Sequence, residues 1–255
     1  MSTYRDMGRF SDFYSLKING MHTKKYSLLL FLLSFFLIVE CGFAQNTSNY
    51  GLKIISTEAE YRKCVGVDAD QEFVDIQKMI PDVVLDIRYA TVHNFTGQAV
   101  YPSARAFARK PVVMQLKAIQ EELKSKKLGL KIYDAYRPYA ITVKFYEVYP
   151  DSTFVANPRK GSRHNRGAAI DLTLIDLKTG NELEMTSKFD DFSEKAISDY
   201  CGGTAIQNAN RKLLIETMTK HGFTVYSSEW WHYDFNDWQK FGLMDLSFEQ
   251  LDAIH

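Results

Sequence analysis

One aspartate inside a run of apolar residues limits what this 255-residue chain can fold into. The run GAAIDLTLI, residues 167–175, has the composition of a buried β-strand, and Asp171 interrupts it. An isolated charge in a protein interior is strongly unfavourable, so a buried carboxylate is hydrogen-bonded, paired with a cation or bound to a metal. The fold must therefore bring a polar partner to this strand, and both a hydrogen-bonded aspartate and a metal ligand satisfy that requirement.

The other sequence patterns predict a single α+β domain with a central, mainly antiparallel sheet, flanking helices and any metal site at the sheet. Strands and helices follow one another without a regular βαβ rhythm, which favours this class over a parallel α/β fold. Further strands are predicted at 82–90, 130–138 and in FTVY and EWWHYDF near the C-terminus. Helices are predicted after Pro111 with Gly129 just beyond the end, after Pro138, over 208–222, and from a capping box at Ser247 and Gln250.

The N-terminal segment, residues 1–44, has the pattern of an export signal ahead of a domain at 45–255. Lys24 and Lys25 precede 14 largely apolar residues, Tyr26 to Val39, whereas a membrane-spanning helix needs about 20. Small residues at 42 and 44 predict cleavage before Gln45. We therefore expect an exported, periplasmic protein with no stable membrane insertion after cleavage.

Alternatives for the same segment are a short membrane anchor and a lipoprotein attached through Cys41, although Glu40 fits poorly before a lipidated cysteine. Signal peptides begin with a short basic region, yet 20 residues precede Met21. We therefore expect Met21 to be the true start and the signal peptide to span residues 21–44.

Composition excludes few functions but does exclude one class of partner. The chain carries 31 basic and 31 acidic residues, so no basic field indicates nucleic-acid binding.

Cys64 and Cys201 follow the apolar segment, and their spacing leaves a disulfide and two free thiols equally open. The sequence does not indicate an oligomeric state.

Two histidines are candidates for partners of Asp171. His164 lies seven residues before Asp171, just ahead of Gly167 and the buried strand. His232 lies in EWWHYDF, whose aromatic residues fit an ordinary core strand equally well. Glu229 precedes His232 by three residues, and on a regular strand these two side chains would point to opposite faces. Both can reach one site only if Glu229 lies at a bulge or on the turn before the strand.

Taken together, these residues match the needs of a zinc hydrolase. A catalytic zinc takes three protein ligands and keeps one position open, and a nearby glutamate can act as general base. Arg137, in DAYRP, could stabilise the oxyanion of the transition state, although a surface arginine has the same sequence pattern.

The chain resembles the D-alanyl-D-alanine dipeptidases, zinc enzymes of the vancomycin-resistance type. The resemblance covers about residues 75–235 and rests on DIRYAT, NFTG, DAYRP, SRHNRGAAIDLTL, KFD, NANR and EWWHY. DIRYAT and NFTG distinguish this group from the D,D-carboxypeptidases, which share the ligand pattern but admit longer peptides.

The resemblance implies a role for each matched residue and one Zn²⁺ per chain. It implies zinc ligands at His164, Asp171 and His232, a catalytic base at Glu229, a transition-state contact at Arg137, and dipeptide contacts at Tyr89, Ser162 and Asp190. The implied activity is hydrolysis of D-alanyl-D-alanine or a similar D,D-dipeptide in peptidoglycan metabolism.

Two rival functions stay open. A D,D-carboxypeptidase would trim terminal D-alanine from wall peptides, and a zinc-stabilised binding domain would have no activity.

The expected location departs from the family pattern. The resistance-type members are cytoplasmic, whereas this chain carries an export signal. An exported enzyme would meet wall-derived peptides rather than newly made dipeptide.

Overall fold

The strand that carries Asp171 lies at the centre of a five-stranded sheet in the computed structural model, which describes residues 50–254. The strands of the described chain are β1 (Ile54–Ile55), β2 (Phe73–Asp75), β3 (Val84–Leu85), β4 (Phe107–Arg109), β5 (Leu128–Asp134), β6 (Ala169–Asp176), β7 (Phe223–Tyr226), β8 (Glu229–Phe235) and β9 (Leu243–Met244). The large sheet has the order β3-β5-β6-β8-β7, and only the β3–β5 pair is parallel. The predicted α+β fold with a mainly antiparallel sheet is therefore confirmed.

Six α-helices accompany the strands in the described part of the chain. They are α1 (Glu58–Val67), α2 (Ile76–Met79), α3 (Lys110–Lys124), α4 (Tyr139–Val148), α5 (Ala205–Lys220) and α6 (Phe248–Ile254). The predicted capping box is present at α6, since Gln250 N–H donates to Ser247 Oγ and Ser247 N–H donates to Gln250 Oε1. Helix α5 begins with a second capping box, formed by Thr204 and Gln207.

Both faces of β6 are buried, one in the apolar core and the other among polar side chains. Side chains alternate along a strand, so Ile170, Leu172 and Leu174 share one face and Asp171 lies on the other. The three aliphatic residues belong to one continuous core with the buried faces of α3 and α5. An apolar stripe of α3 is buried there, at Val112, Leu116, Ile119 and Leu123. The face that carries Asp171 is thereby left for the polar site.

Two irregularities in the sheet set the positions of polar side chains. The β5–β6 pairing shifts between Ile132 and Asp134, which places Asp134 opposite Asp171. The β7–β8 pairing shifts between Val225 and Tyr226, which leaves Tyr226 opposite Glu229. An added residue in one strand re-aims the side chains beside it. The sequence predicted that Glu229 could share a site with His232 only from a bulge or from the turn before the strand, and the structure has the register shift at this point.

A buried arginine connects the loop before β6 to the rest of the domain. Arg109 on β4 has no exposed surface, and its guanidinium donates to the carbonyls of Gln71, Arg166 and Gly242. Its charge also lies over the ring of Phe73, with the guanidinium carbon 4.2 Å from the ring centroid. Burial lowers the pKa of Arg109 to about 10, so the side chain stays protonated at neutral pH.

Several details of the sequence prediction are corrected by the structure. Residues 82–90 form only the short strand β3 and a 3₁₀ turn at Arg88–Ala90, and β5 ends at Asp134 rather than at Pro138. Gly129 lies inside β5, and Lys127 takes the left-handed conformation after α3, with φ of 61°. At the end of β5, the Asp134 carboxylate accepts the Ala135 N–H at 2.9 Å.

Some predictions concern residues beyond or at the margin of the described chain. The signal peptide, its cleavage at 44/45, the start at Met21 and lipidation at Cys41 all lie outside residues 50–254. No helix among the described residues is long and apolar enough to cross a membrane. Cys64 and Cys201 are free thiols in the structure.

Candidate metal and catalytic site

Three side chains point their ligand atoms at one another on the polar face of the sheet. His164 Nε2 lies 3.1 Å from His232 Nδ1 and 3.3 Å from Asp171 Oδ1, and the latter two atoms are 3.0 Å apart. Ligands held at 2.0–2.1 Å in a tetrahedron would lie roughly 3.3 Å from one another. The spacing of these atoms is therefore close to that of three ligands around one zinc ion. This cluster is the predicted metal site.

Two strands and one 3₁₀ turn deliver the three ligands. Asp171 on β6 and His232 on β8 are directly paired across the antiparallel ladder. His164 begins a 3₁₀ turn, His164–Arg166, which ends at Gly167 with φ of 67° before the chain enters β6. A Cβ at Gly167 would lie 2.3 Å from the Phe73 ring, so glycine is required there for both conformation and space. The loop and the strand thus meet at one point.

Hydrogen bonds outside the cluster orient both imidazole rings. His164 Nδ1 lies 2.7 Å from the Ala135 carbonyl oxygen, and His232 Nε2 lies 3.0 Å from Asp234 Oδ1. Both acceptors take an N–H, so each ring in its neutral form presents the lone pair of its inner nitrogen to the cluster. Outer contacts of this kind are typical of metal-bound histidine and select the tautomer.

This arrangement requires a positive charge at its centre. Two imidazole lone pairs and the Asp171 carboxylate face one another in a buried space, and three acceptors without a cation would repel. Burial lowers the pKa of His232, but hydrogen bonds to Asp171 and Asp234 outweigh it and raise the pKa well above the ordinary value. Burial raises the pKa of Asp171, but His164 and His232 outweigh it and lower the pKa. The donor set therefore fits a divalent cation, and zinc matches its nitrogen and oxygen ligands.

Glu229 lies beside the cluster at the start of β8. Its Oε2 is 3.9 Å from His232 Nδ1, and the residue is buried. Burial raises the pKa of Glu229 to about 8, and Asp171 and Asp190 oppose its ionisation further, against the attraction of His232. A bound divalent cation would favour the carboxylate form. A carboxyl group poised near neutral pH beside a metal site suits a general base.

Arg137 lies against the cluster from the β5 side. Its Nε and Nη2 donate to Asp134 Oδ2 at 3.1 and 2.7 Å, and Tyr101 Oη donates to Asp134 Oδ1 at 2.8 Å. Asp134 is therefore an orienting partner that the sequence motif contains but that our sequence analysis did not assign. Because Asp134 neutralises and fixes the guanidinium, Arg137 can be buried and still face the cavity.

Tyr89, Asp190 and Ser162 complete the predicted set. Tyr89 Oη donates to Asp190 Oδ1 at 3.1 Å, and the Tyr89 ring packs beside Phe145 at 4.6 Å between centroids. Asp190 as a whole is only partly buried, but its Oδ2 is buried and has no hydrogen-bond partner. Ser162 Oγ accepts the His164 N–H at 3.2 Å, so this serine also shapes the ligand loop.

One cavity of about 420 Å³ collects all eight predicted residues. This volume lies in the range of small-ligand sites. Aromatic side chains form much of its wall, among them Phe95, Phe145, Phe154, Phe192 and Trp231. The cavity is lined by His164, Asp171, His232, Glu229, Arg137, Tyr89, Ser162 and Asp190. The fold therefore brings together all eight residues that were predicted from the sequence.

Three supporting residues were missed. Asp234 could have been found from strand alternation, because it lies two residues after His232 on the same face. Asp134 and Asn165 had no such signal. The Asn165 amide donates to the Arg137 carbonyl at 2.9 Å and to Thr142 Oγ1 at 2.7 Å, contacts that depend on tertiary structure.

Comparison with known proteins gives consistent matches. The family model described as D-ala-D-ala dipeptidase matches residues 69–249. The D-alanyl-D-alanine dipeptidase of Escherichia coli K12 is 37% identical over 163 residues, covering 64% of this chain and 84% of that protein. The D-alanyl-D-alanine dipeptidase of Enterococcus faecalis V583 is 32% identical over 185 residues, covering 65% and 92%.

Among solved structures, a variant of the vancomycin-resistance D,D-pentapeptidase VanY in complex with Zn(II) is 16% identical, with a TM-score of 0.34. That match covers 52% of this chain and 75% of the VanY chain. The family model spans well over half of the 255 residues and includes the whole cavity described above from Tyr89 to Trp238. The chain belongs to the D-ala-D-ala dipeptidase family.

Proposed function

We propose that this protein is a monozinc peptidase that hydrolyses D-alanyl-D-alanine or a similar short D,D-dipeptide in peptidoglycan metabolism. The observation that carries the proposal is the convergence of a three-ligand cluster, a buried carboxyl and a buried arginine on one cavity. The names of the relatives in Escherichia coli and Enterococcus faecalis supply the substrate class.

His164, Asp171 and His232 would hold the zinc ion, with one ion per chain. When bound, zinc would supply Lewis-acid activation of water and of the scissile carbonyl. The protein contributes the geometry of the site. The Ala135 carbonyl and Asp234 hold the two imidazole rings so that the donor atoms converge before any ion arrives.

Glu229 and Arg137 would carry the charge and proton changes of the reaction. Glu229 accepts the proton of the attacking water and then donates it to the leaving amine, which its raised pKa favours. Arg137, held by Asp134, donates hydrogen bonds to the oxyanion that develops on the scissile carbonyl. Its position is fixed before the reaction, so no rearrangement is needed as charge develops.

Asp190 and Tyr89 would bind the free amino end of the dipeptide. Asp190 Oδ2 is a buried acceptor without a partner, and an ammonium group would satisfy it. Aromatic residues surround Tyr89 and form the wall of the cavity beside Asp190. Phe95, Phe145 and Phe189 contact the Tyr89 ring. A peptide extended beyond its amino end would lose the ion pair and meet that wall.

We also propose that the protein is exported to the periplasm. Lys24 and Lys25, the apolar run to Val39 and the small residues before Gln45 support this proposal. An enzyme placed there would act on dipeptides released from the wall. A D,D-carboxypeptidase acting on longer peptides is the rival that the same ligand set would permit.

A zinc-dependent hydrolysis assay separates these functions. Release of D-alanine is measured from D-alanyl-D-alanine and from a pentapeptide that ends in the same two residues, before and after chelation and zinc restoration. We expect activity that zinc restores and a kcat/KM for the dipeptide about 100-fold higher or more, since only the dipeptide pairs with Asp190. Equal or greater activity on the pentapeptide would favour the carboxypeptidase, and zinc binding with no hydrolysis of either would favour a binding domain.

A further inference from the structure

The cavity carries a second polar region, on the β8 side of the ligand cluster. Arg163, next to the ligand His164, lines the cavity, and its Nε lies 3.6 Å from Asp234 Oδ2. Asp234 in turn lies on β8 and hydrogen-bonds the outer nitrogen of His232. Arg137 lies at the other side, three residues beyond the end of β5, and it is held there by Asp134, the last residue of that strand. Because β6 lies between β5 and β8, the two arginines flank Asp171 from opposite sides.

Arg163 has donor capacity that the protein itself does not use. Its Nε is buried and has no hydrogen-bond partner among the described residues, since 3.6 Å to Asp234 is too long for a hydrogen bond. Its guanidinium carbon lies 4.8 Å from the centroid of the Trp238 ring, which holds the plane of the group. Arg166, which also stacks on Trp238, instead donates to the Phe241 carbonyl. Of the two arginines in this loop that stack on Trp238, Arg163 is therefore the one with an N–H group available to a ligand.

The negative charges in the cavity limit where a second anion can bind. Asp171, Asp190 and Glu229 are all in its lining and would repel a carboxylate placed among them. A dipeptide is a zwitterion, and two extended residues span at most about 7 Å between their ends. With the ammonium at Asp190 and the scissile carbonyl near Arg137, the carboxylate must lie beyond the ligand cluster. Besides Arg137, the cationic residues that line the cavity are Arg163, Lys160 and Arg166. Of these, Arg163 lies beside Asp234 on β8.

We propose that Arg163 binds the C-terminal carboxylate of the dipeptide and makes the enzyme selective for substrates with a free carboxyl end. This inference rests on the proposed dipeptidase function and assigns the second end of its substrate. The planar guanidinium, stacked on Trp238, can present two N–H groups to the two carboxylate oxygens. Asp190 and Arg163 then recognise the two charged ends, and the reacting bond lies between them.

The test compares D-alanyl-D-alanine with its C-terminal amide, which lacks the negative charge. We expect the wild-type enzyme to prefer the acid by about tenfold in kcat/KM, the size of one charge-assisted hydrogen bond at a partly exposed side chain. Arg163→Gln should abolish this preference by raising KM for the acid, with little change in kcat. Arg163→Lys, which keeps the charge, should restore part of the preference.

Matched controls separate recognition from damage to the metal site. Arg159→Gln removes a neighbouring arginine that does not line the cavity, and it should keep the wild-type preference. Zinc content should stay at one ion per chain in all variants. Retention of the acid preference in Arg163→Gln would overturn the inference and leave the dipeptidase function intact. A zinc-loaded wild type inactive on both substrates would overturn the proposed function, and the inference with it.

Discussion

At the scale of single residues, Asp190 combines two unfavourable features that a ligand would relieve. Its backbone has φ of 59°, a left-handed conformation that non-glycine residues seldom adopt. Its Oδ2 is buried without a partner. Burial, and after it the charge of Asp171, raises the pKa of Asp190 to about 7. Strained and unsatisfied groups of this kind concentrate at ligand-binding positions.

This pKa predicts how dipeptide binding responds to pH. Only the Asp190 carboxylate pairs with an ammonium group, and its raised pKa means that the carboxylate is lost as the pH falls through about 7. We therefore expect KM for D-alanyl-D-alanine to rise below pH 7, whereas an ordinary aspartate would stay ionised down to about pH 4. Steady-state kinetics between pH 5.5 and roughly 8.5 measures this effect.

Asp190→Asn isolates the contribution of this residue. The variant should have a KM raised by about tenfold to a hundredfold, the range for a lost hydrogen bond to a charged group. Its KM should also stay constant across neutral pH. Asp191→Asn, a change at the adjacent residue outside the cavity lining, is the control and should behave like wild type. A KM that is independent of pH in the wild type would contradict the assignment.

At the scale of elements, irregular backbone rather than regular strands places the reactive groups. The β7–β8 bulge brings Glu229 to the same side as His232, and the turn at Gly167 brings His164 to β6. The spacing of Glu229 and His232 predicted that Glu229 would lie at a bulge or on the turn before the strand. The sequence did not predict the irregularity in β5 between Ile132 and Asp134, because no periodic pattern marks that position.

A pair of glycine substitutions tests the role of the turn. Gly167 and Gly180 both have positive φ, but a Cβ at Gly167 would contact Phe73 at 2.3 Å, whereas nothing lies within 4 Å of one at Gly180. Alanine at Gly180 should cost about 1–2 kcal/mol of unfolding free energy from conformation alone. Alanine at Gly167 should cost about 1–3 kcal/mol more, from crowding in the core.

Urea unfolding of both variants and a zinc titration provide the measurements. Gly167→Ala should also weaken zinc binding, because the displaced turn carries His164. Gly180→Ala, four residues beyond the end of β6, should bind zinc like wild type. Equal destabilisation and equal zinc affinity in the two variants would show that the contact with Phe73 does not position the turn.

At the scale of the whole molecule, segments distant in sequence are held around one cavity. Arg109 ties the loop that carries His164 to the carbonyls of Gln71 and Gly242. The Arg137 N–H donates to the His164 carbonyl at 3.1 Å, which joins the two site loops directly. The fold class and the strand of Asp171 could be predicted from the sequence patterns. The eight residues that line the cavity were named in part from residue types and spacing, whereas Tyr89, Ser162 and Asp190 were named only through the family resemblance.

The supporting structure could not be predicted in the same way. Arg109 precedes Pro111 in a sequence that resembles any helix start, and only the tertiary fold shows that it is a buried cation held by backbone carbonyls. The strand prediction for 82–90 was wrong beyond Leu85 because the chain turns at Arg88–Ala90 to place Tyr89 in the cavity. Alternating polarity in a sequence indicates which side chains are buried. Ile87 and Tyr89 are buried by tertiary packing and not by strand pairing, so the alternation did not mark a strand here.

The zinc content and turnover of Glu229→Gln test the proposed mechanism, with Glu216→Gln on the exposed side of α5 as the matched control. We expect Glu229→Gln to keep one zinc ion per chain, because the proposed ligands are His164, Asp171 and His232. Its kcat on D-alanyl-D-alanine should fall by about 10²- to 10⁴-fold, the contribution of a general base. Glu216→Gln should match wild type in both measurements. Full activity in Glu229→Gln, or loss of its zinc together with its activity, would overturn the mechanism.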